Sequence, residues 1–141
     1  MNVGAIDRVQ RTFDAVPKSA RAARQFVTEI LRGHRAPTSM ISDYELVVSE
    51  LATNIIEHGN GSHLVISVNV ADPEWWEVEV VGGTSAAPHQ VFHPDTWTVA
   101  GAAQASGRGL GIVRHLMDHV AADTTDGQIS IRCRRRRAKA R

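Results

Sequence analysis

The sequence predicts an α/β sandwich, a mostly antiparallel sheet with helices layered on one face. Three observations predict it. Apolar residues recur at helical spacing in three segments, while β-rich runs with alternating or continuous apolar residues occupy five others. Tight-turn sequences, Ala71-Asp72-Pro73-Glu74 and Asp126-Gly127, join consecutive strand segments and imply antiparallel pairing. The order is strand, helix, helix, strand, strand, long loop, helix, strand, strand, so helices do not alternate one for one with strands.

Val9 to Ala15 reads as a short strand. Pro17-Lys18-Ser19 opens a helix from Ser19 to His34, with Ala20, Ala23, Phe26, Val27, Ile30 and Leu31 on one face. Ser39 or Ser42 caps a second helix, and Ser42-Asp43-Tyr44-Glu45 has the reciprocal capping pattern. Its apolar stripe is Ile41, Tyr44, Val47, Val48, Leu51 and Ile55, and Gly59-Asn60-Gly61 stops it. At about 100° per residue, Glu50, Asn54 and Glu57 share a narrow stripe at the border of that face, with His58 leaning toward the apolar side. His63 to Val70 and Trp75 to Val81 are strands; in the second, Trp76, Val78 and Val80 alternate with Glu77 and Glu79. Gly82 to Ser106 lacks periodicity, and a loop of that length in one domain carries function or mobility. Gly107 to His119 is a third helix with Leu110, Val113, Leu116 and Met117 inward, and Val120–Thr124 and Gln128–Cys133 finish the sheet.

The 141 residues, 43% hydrophobic and 22% charged, fit one soluble domain, expected over residues 1–133. No apolar run approaches the roughly 18–20 residues of a membrane span, and the N-terminus lacks the apolar core of a secretory signal. Cys133 is the single cysteine, so no internal disulfide forms, which fits a reducing cytoplasm. The net charge of +1 hides an asymmetry: residues 132–141 hold seven of the sixteen Lys and Arg and no acid. Residues 134–141 are expected as a solvated, flexible basic tail. The tail could meet nucleic acid, but no aromatic residue interleaves it, and the rest of the chain is acidic. Trp75, Trp76, Trp97 and Cys133 read as packing residues, and His89, His93, His115 and His119 lack zinc-ligand spacing.

Chemistry concentrates in two segments. Glu50 to Gly59 presents carboxylate, amide and imidazole groups along one helix side, and Ser106-Gly107-Arg108-Gly109-Leu110-Gly111 forms a glycine-rich turn into a helix N-terminus. Asn54 offers a neutral oxygen to magnesium, which takes few protein ligands beside phosphates and water. Glu50, one turn earlier, suits proton acceptance from an attacking hydroxyl. Gly107, Gly109 and Gly111 let backbone N–H groups approach phosphates, and Arg108 could contact a phosphate or a partner. The plainer alternatives are a solvated helix face and a tight loop-to-helix turn.

Glu50-Leu51-Ala52-Thr53-Asn54-Ile55-Ile56-Glu57-His58 resembles the N-box of the GHKL ATPase fold, the Bergerat-type fold shared by histidine kinases, gyrase and a heat-shock chaperone. More narrowly it resembles the anti-sigma factor serine kinases of bacterial partner switching, the RsbW/SpoIIAB-like group. Ser106-Gly107-Arg108-Gly109-Leu110-Gly111-Ile112 resembles that group's second glycine box, and the intervening loop its ATP lid. The resemblance implies Asn54 as magnesium ligand and Glu50 as catalytic base. It implies ATP or ADP with magnesium bound near His58, Thr84, Gly107, Arg108, Gly109, Leu110 and Gly111. It further implies phosphorylation of a STAS-type anti-anti-sigma protein, silencing of a sigma factor, and a homodimer. One departure stands out. The family's first glycine box begins with an aspartate that hydrogen-bonds the adenine amino group, and here Gly82 stands in its place. The alternative is therefore a regulator of the same fold that binds protein partners without nucleotide.

Overall fold

The computed structural model describes residues 8–84 and 105–137. Strand β1 (Arg8–Asp14) is followed by helices α1 (Ser19–Gly33) and α2 (Thr38–His58), strands β2 (His63–Asn69) and β3 (Trp75–Gly83), helix α3 (Ala105–Leu116), and strands β4 (His119–Thr125) and β5 (Gln128–Arg136). The strands form one sheet in the order β1-β2-β3-β5-β4, and every neighbouring pair is antiparallel. This is the mixed helix-on-sheet sandwich that the element order predicts, with the helices packed on one face.

The period of two along each strand explains why only one face is covered. Leu64, Ile66 and Val68 of β2, Trp76, Val78 and Val80 of β3, and Ile129, Ile131 and Cys133 of β5 are buried on the inner face. Helix α2 lies over β2 and β3, with α1 and α3 packed against it. Its stripe of Tyr44, Val47, Val48 and Leu51 is wholly removed from solvent. The Tyr44 hydroxyl sits 2.8 Å from the Trp76 carbonyl and 3.0 Å from that of Cys133, sharing its proton between two adjacent strands. Burial, ahead of the neighbouring Cys133, pushes the Tyr44 hydroxyl pKa well above its usual value. Burial likewise pushes the Cys133 thiol up to about 12, so the thiol stays neutral.

The outer face is a polar ladder. Glu79 accepts from Arg8 at 2.8 Å and from Ser130 at 2.6 Å, and Glu77 accepts from Arg134 at 2.7 Å. Trp75 lies at its end, half-buried, with the Arg136 guanidinium 4.4 Å from its ring centre.

Several boundaries differ from the sequence expectation. Helix α2 begins at Thr38, behind Pro37, with no side-chain cap. Ser42 therefore lies inside it and its capping pattern is unused, because burial of Met40 and Ile41 draws the helix a turn earlier. Strand β3 runs on through Gly82 and Gly83, which pair with Ile129 and Gln128. His119 belongs to β4 rather than to the third helix. Strand β5 continues past Cys133 to Arg136, so the basic run is not a solvated tail from 134 onward. Period-two alternation is hidden there by four consecutive arginines. Arg134 and Arg136 pair across with Glu77 and Trp75, while Arg135 turns inward. Arg135 donates to the Asp43 carboxylate and, at 3.0 Å, to the Leu116 carbonyl, tying β5 to α2 and α3. Arg137 lies over the Trp76 ring at 3.8 Å and donates to the Val70 carbonyl at 2.6 Å. Residues 138–141, with the rest of the expected tail, lie outside the described residues.

Candidate nucleotide and phosphotransfer site

Helix α2 sets the polar edge. Its apolar stripe must face the sheet, so residues one step round the helix emerge at the border of the buried surface. Glu50 and Asn54 do so: both are half-buried, one turn apart, each directly before a buried residue, Leu51 and Ile55. Neither side chain has a hydrogen bond or ion pair with another described residue. A carboxylate and an amide oxygen held side by side are the donors that a hydrated magnesium ion and a hydroxyl nucleophile require. Glu57 continues the stripe but is exposed. His58 ends the helix, also exposed, with Nε2 3.9 Å from the Glu57 carboxylate, rather than leaning toward the apolar side.

The glycine-rich segment is helical. Helix α3 begins at Ala105, so Gly107, Gly109 and Gly111 lie inside its first two turns instead of forming a turn before it. Each glycine costs a helix about 1 kcal/mol. Packing of Leu110, Val113 and Met117 into the core offsets that cost. Leu110 is therefore a core side chain, and contacts between α2 and α3 bring the two sequence segments side by side. The Arg108 side chain, like residues 85–104 of the expected lid (Gly82 to Ser106) with His89, His93 and Trp97, lies outside the described residues, while the lid's two ends belong to β3 and α3. Among the described residues no cluster of three or more His, Cys, Asp or Glu could hold a metal ion. No described helix is long and apolar enough to cross a membrane.

The nucleobase end differs from the polar edge. Gly82 is buried near the end of β3 with its missing side chain aimed at α2. A Cβ at Gly82 would stand 2.3 Å from Cγ2 of Ile55. The place assigned by resemblance to an adenine-reading carboxylate is thus filled by an isoleucine. The neighbouring backbone is as tight: a Cβ on Gly59 would meet the Gly83 carbonyl oxygen at 2.6 Å, and one on Gly83 would meet the Gly61 nitrogen at 2.7 Å. Asn60 N–H donates to the Gly83 carbonyl at 3.3 Å. Thr84 is half-buried, and its N–H donates to the Gly127 carbonyl at 2.8 Å, which holds the strand end against the β4–β5 turn. Glu50 and Asn54 therefore fit a metal–phosphate group, and Gly82 does not fit adenine recognition through a carboxylate.

Sequence reasoning missed two of these roles. Ile55 is read from sequence only as the last member of an apolar stripe; the signal was the adjacent Gly82-Gly83 pair, which a helix side chain could enter. Arg135 was read as tail, and an acid in the first turns of α2, Asp43, was its available partner.

The family described as Histidine kinase-like ATPase domain matches residues 13–135. Among curated proteins, none matches the chain in sequence. The crystal structure of the RsbU and RsbW domains of Rv1364c from Mycobacterium tuberculosis superposes with a TM-score of 0.68 at 21% identity, covering 95% of this chain and 34% of that one. This chain thus spans about a third of that protein's length. The SiaB–SiaC complex from Pseudomonas aeruginosa contains a chain that superposes with a TM-score of 0.66 at 14% identity, covering 95% of this chain and 98% of that one. At these identities the likeness is one of fold. With the family match spanning most of its length and the GHKL sandwich as its fold, the chain belongs to the histidine kinase-like ATPase domain family.

Proposed function

We propose that this chain is a bacterial partner-switching regulator, an anti-sigma factor that binds a sigma factor and phosphorylates a STAS-type anti-anti-sigma protein on serine or threonine. The observation that supports this reading is the open polar edge of α2, where Glu50 and Asn54 stand half-buried and unpaired among the described residues. A magnesium–nucleotide complex would supply the transferable phosphoryl group and the cation that neutralises its charge. Asn54 Oδ1 would take one place in the magnesium shell. A Glu50 carboxylate oxygen would accept the proton of the partner's hydroxyl. Backbone N–H groups of the first turn of α3, around Gly107, together with Arg108, would border the phosphates; the N–H groups of Gly109 and Gly111 are spent inside the helix.

The test is phosphotransfer to a STAS-type partner with magnesium and ATP. Transfer should occur in the native chain and fall by about 10²-fold or more in Glu50→Gln and Asn54→Ala, the scale of a positioned acid–base or charge-stabilising group. A stable partner complex with no transfer under any nucleotide condition would contradict the kinase half. That outcome would leave the second reading, a regulator acting by contact alone, which the Ile55–Gly82 packing favours. It predicts partner binding indifferent to ATP.

A further inference from the structure

We infer that Ile55 is the residue that closes the nucleobase end of this site, so that any nucleotide the chain binds is held by its phosphates and metal without selection for adenine. The inference rests on the reading of the polar edge given above but concerns a different part of the site. Two residues, Ile55 and Gly82, together make the difference, not a lost acid alone. Removing a carboxylate alone would leave a polar hollow at the strand end. Here the hollow is filled: Ile55 Cγ2 lies 2.3 Å from where a Gly82 Cβ would be, and Ile55 itself is 5% exposed. A side chain as large as aspartate cannot enter while isoleucine stands there, and isoleucine could not stand there over any residue but glycine.

The closure is not confined to one contact. Gly59 meets the Gly83 carbonyl, and Gly83 meets Gly61, both at distances that forbid a side chain. The chain leaving α2 is therefore pressed on the end of β3, and Asn60 hydrogen-bonds across the seam. What the described residues leave at this end is Ile55, the glycine seam, and the side chains of Asn60 and Thr84. Among the described residues it offers no buried carboxylate to the exocyclic amine of adenine. Base discrimination by a hydrogen-bonding site comes from polar groups left unpaired by the wrong base. With no carboxylate there among the described residues, the acceptor that would favour adenine is missing.

Two residues then carry the difference between this site and an adenine-reading one, and they must change together. Gly82→Asp alone meets Ile55. Ile55→Ala alone opens space without supplying the acceptor. The double variant Ile55→Ala/Gly82→Asp does both.

The experiment measures binding of Mg-ATP, Mg-GTP and Mg-tripolyphosphate to the full chain by calorimetry and competition. Native protein should bind ATP and GTP within about threefold of each other, the margin left when no base-reading hydrogen bond remains. The double variant should gain about ten- to a hundredfold in ATP affinity over GTP, the value of one hydrogen bond to a charged acceptor. Ile55→Ala/Gly82→Asn serves as a second variant if the carboxylate prevents folding, with circular dichroism confirming the fold. If native protein binds no nucleotide while the double variant binds ATP, the closure stands and the kinase reading falls. A native preference for ATP over GTP above tenfold would overturn the closure, as would a folded double variant with no gain for ATP.

Discussion

Two neighbouring parts of α2 meet the same sheet in opposite ways. At Glu50 and Asn54 the helix border is half-buried, polar and unpaired among the described residues. One residue on, Ile55 is driven into a glycine of β3 at a distance no other residue would permit. The first region keeps polar groups that make no hydrogen bond or ion pair with another described residue. The second is filled by packing. On the proposed function, the difference separates residues used for chemistry from residues used for stability, and mutations should sort accordingly.

The largest effect is expected at Gly82→Asp. It forces a charged side chain into the space of Ile55 and should cost about 3–5 kcal/mol, the scale of an uncompensated buried charge. A denaturant titration with a midpoint near that of the native protein would show the strand end to be roomier than the Ile55 contact implies. Ile55→Ala removes buried methyl groups and should cost about 2–4 kcal/mol, depending on how far α2 settles onto Gly82. A loss below about 1 kcal/mol would mean that Ile55 is not tightly held.

An intermediate effect is expected from pH. Cys133 ionises near 9 when unfolded and near 12 when folded, and Tyr44 is shifted the same way from 10.0. The unfolded chain therefore releases protons that the native chain keeps. Stability is full below about 9 and falls as pH rises toward 12, by about 1.4 kcal/mol per pH unit for each group. Cys133→Ala should flatten this decline between 9 and 10, where Tyr44 has yet to contribute. An unchanged slope in that variant would assign the alkaline loss to other groups.

The smallest stability effects belong to the polar edge. Glu50→Gln and Asn54→Ala should leave stability within about 0.5 kcal/mol of native, while removing phosphotransfer. A substantial loss of stability in either variant would blur the contrast, because it would make these residues part of the fold.

Much of this was legible in the sequence. Period-two and helical patterns located the strands and helices to within a few residues, because those patterns are the core itself. The N-box and the second glycine segment were legible as a pair of polar and glycine signals in the right order. What escaped was set by contact across the fold. Ser42 looked like a cap, but tertiary burial of Met40 and Ile41 extended the helix past it. The arginines of β5 looked like a charge run, because an inward arginine with a distant acid leaves no mark in local sequence. Gly82 could be read as a missing acid, whereas its partner Ile55 lies on another element and only the packing joins them.

A double-mutant cycle on stability, using Ile55→Ala and Gly82→Ala, tests the central contact without any ligand. Gly82→Ala should cost about 1–3 kcal/mol in the native background, as overpacking does. In the Ile55→Ala background the added methyl should be tolerated, giving a favourable coupling of at least about 1 kcal/mol. Additivity within about 0.5 kcal/mol would contradict the account, since Ile55 would then not be what occupies the space above Gly82.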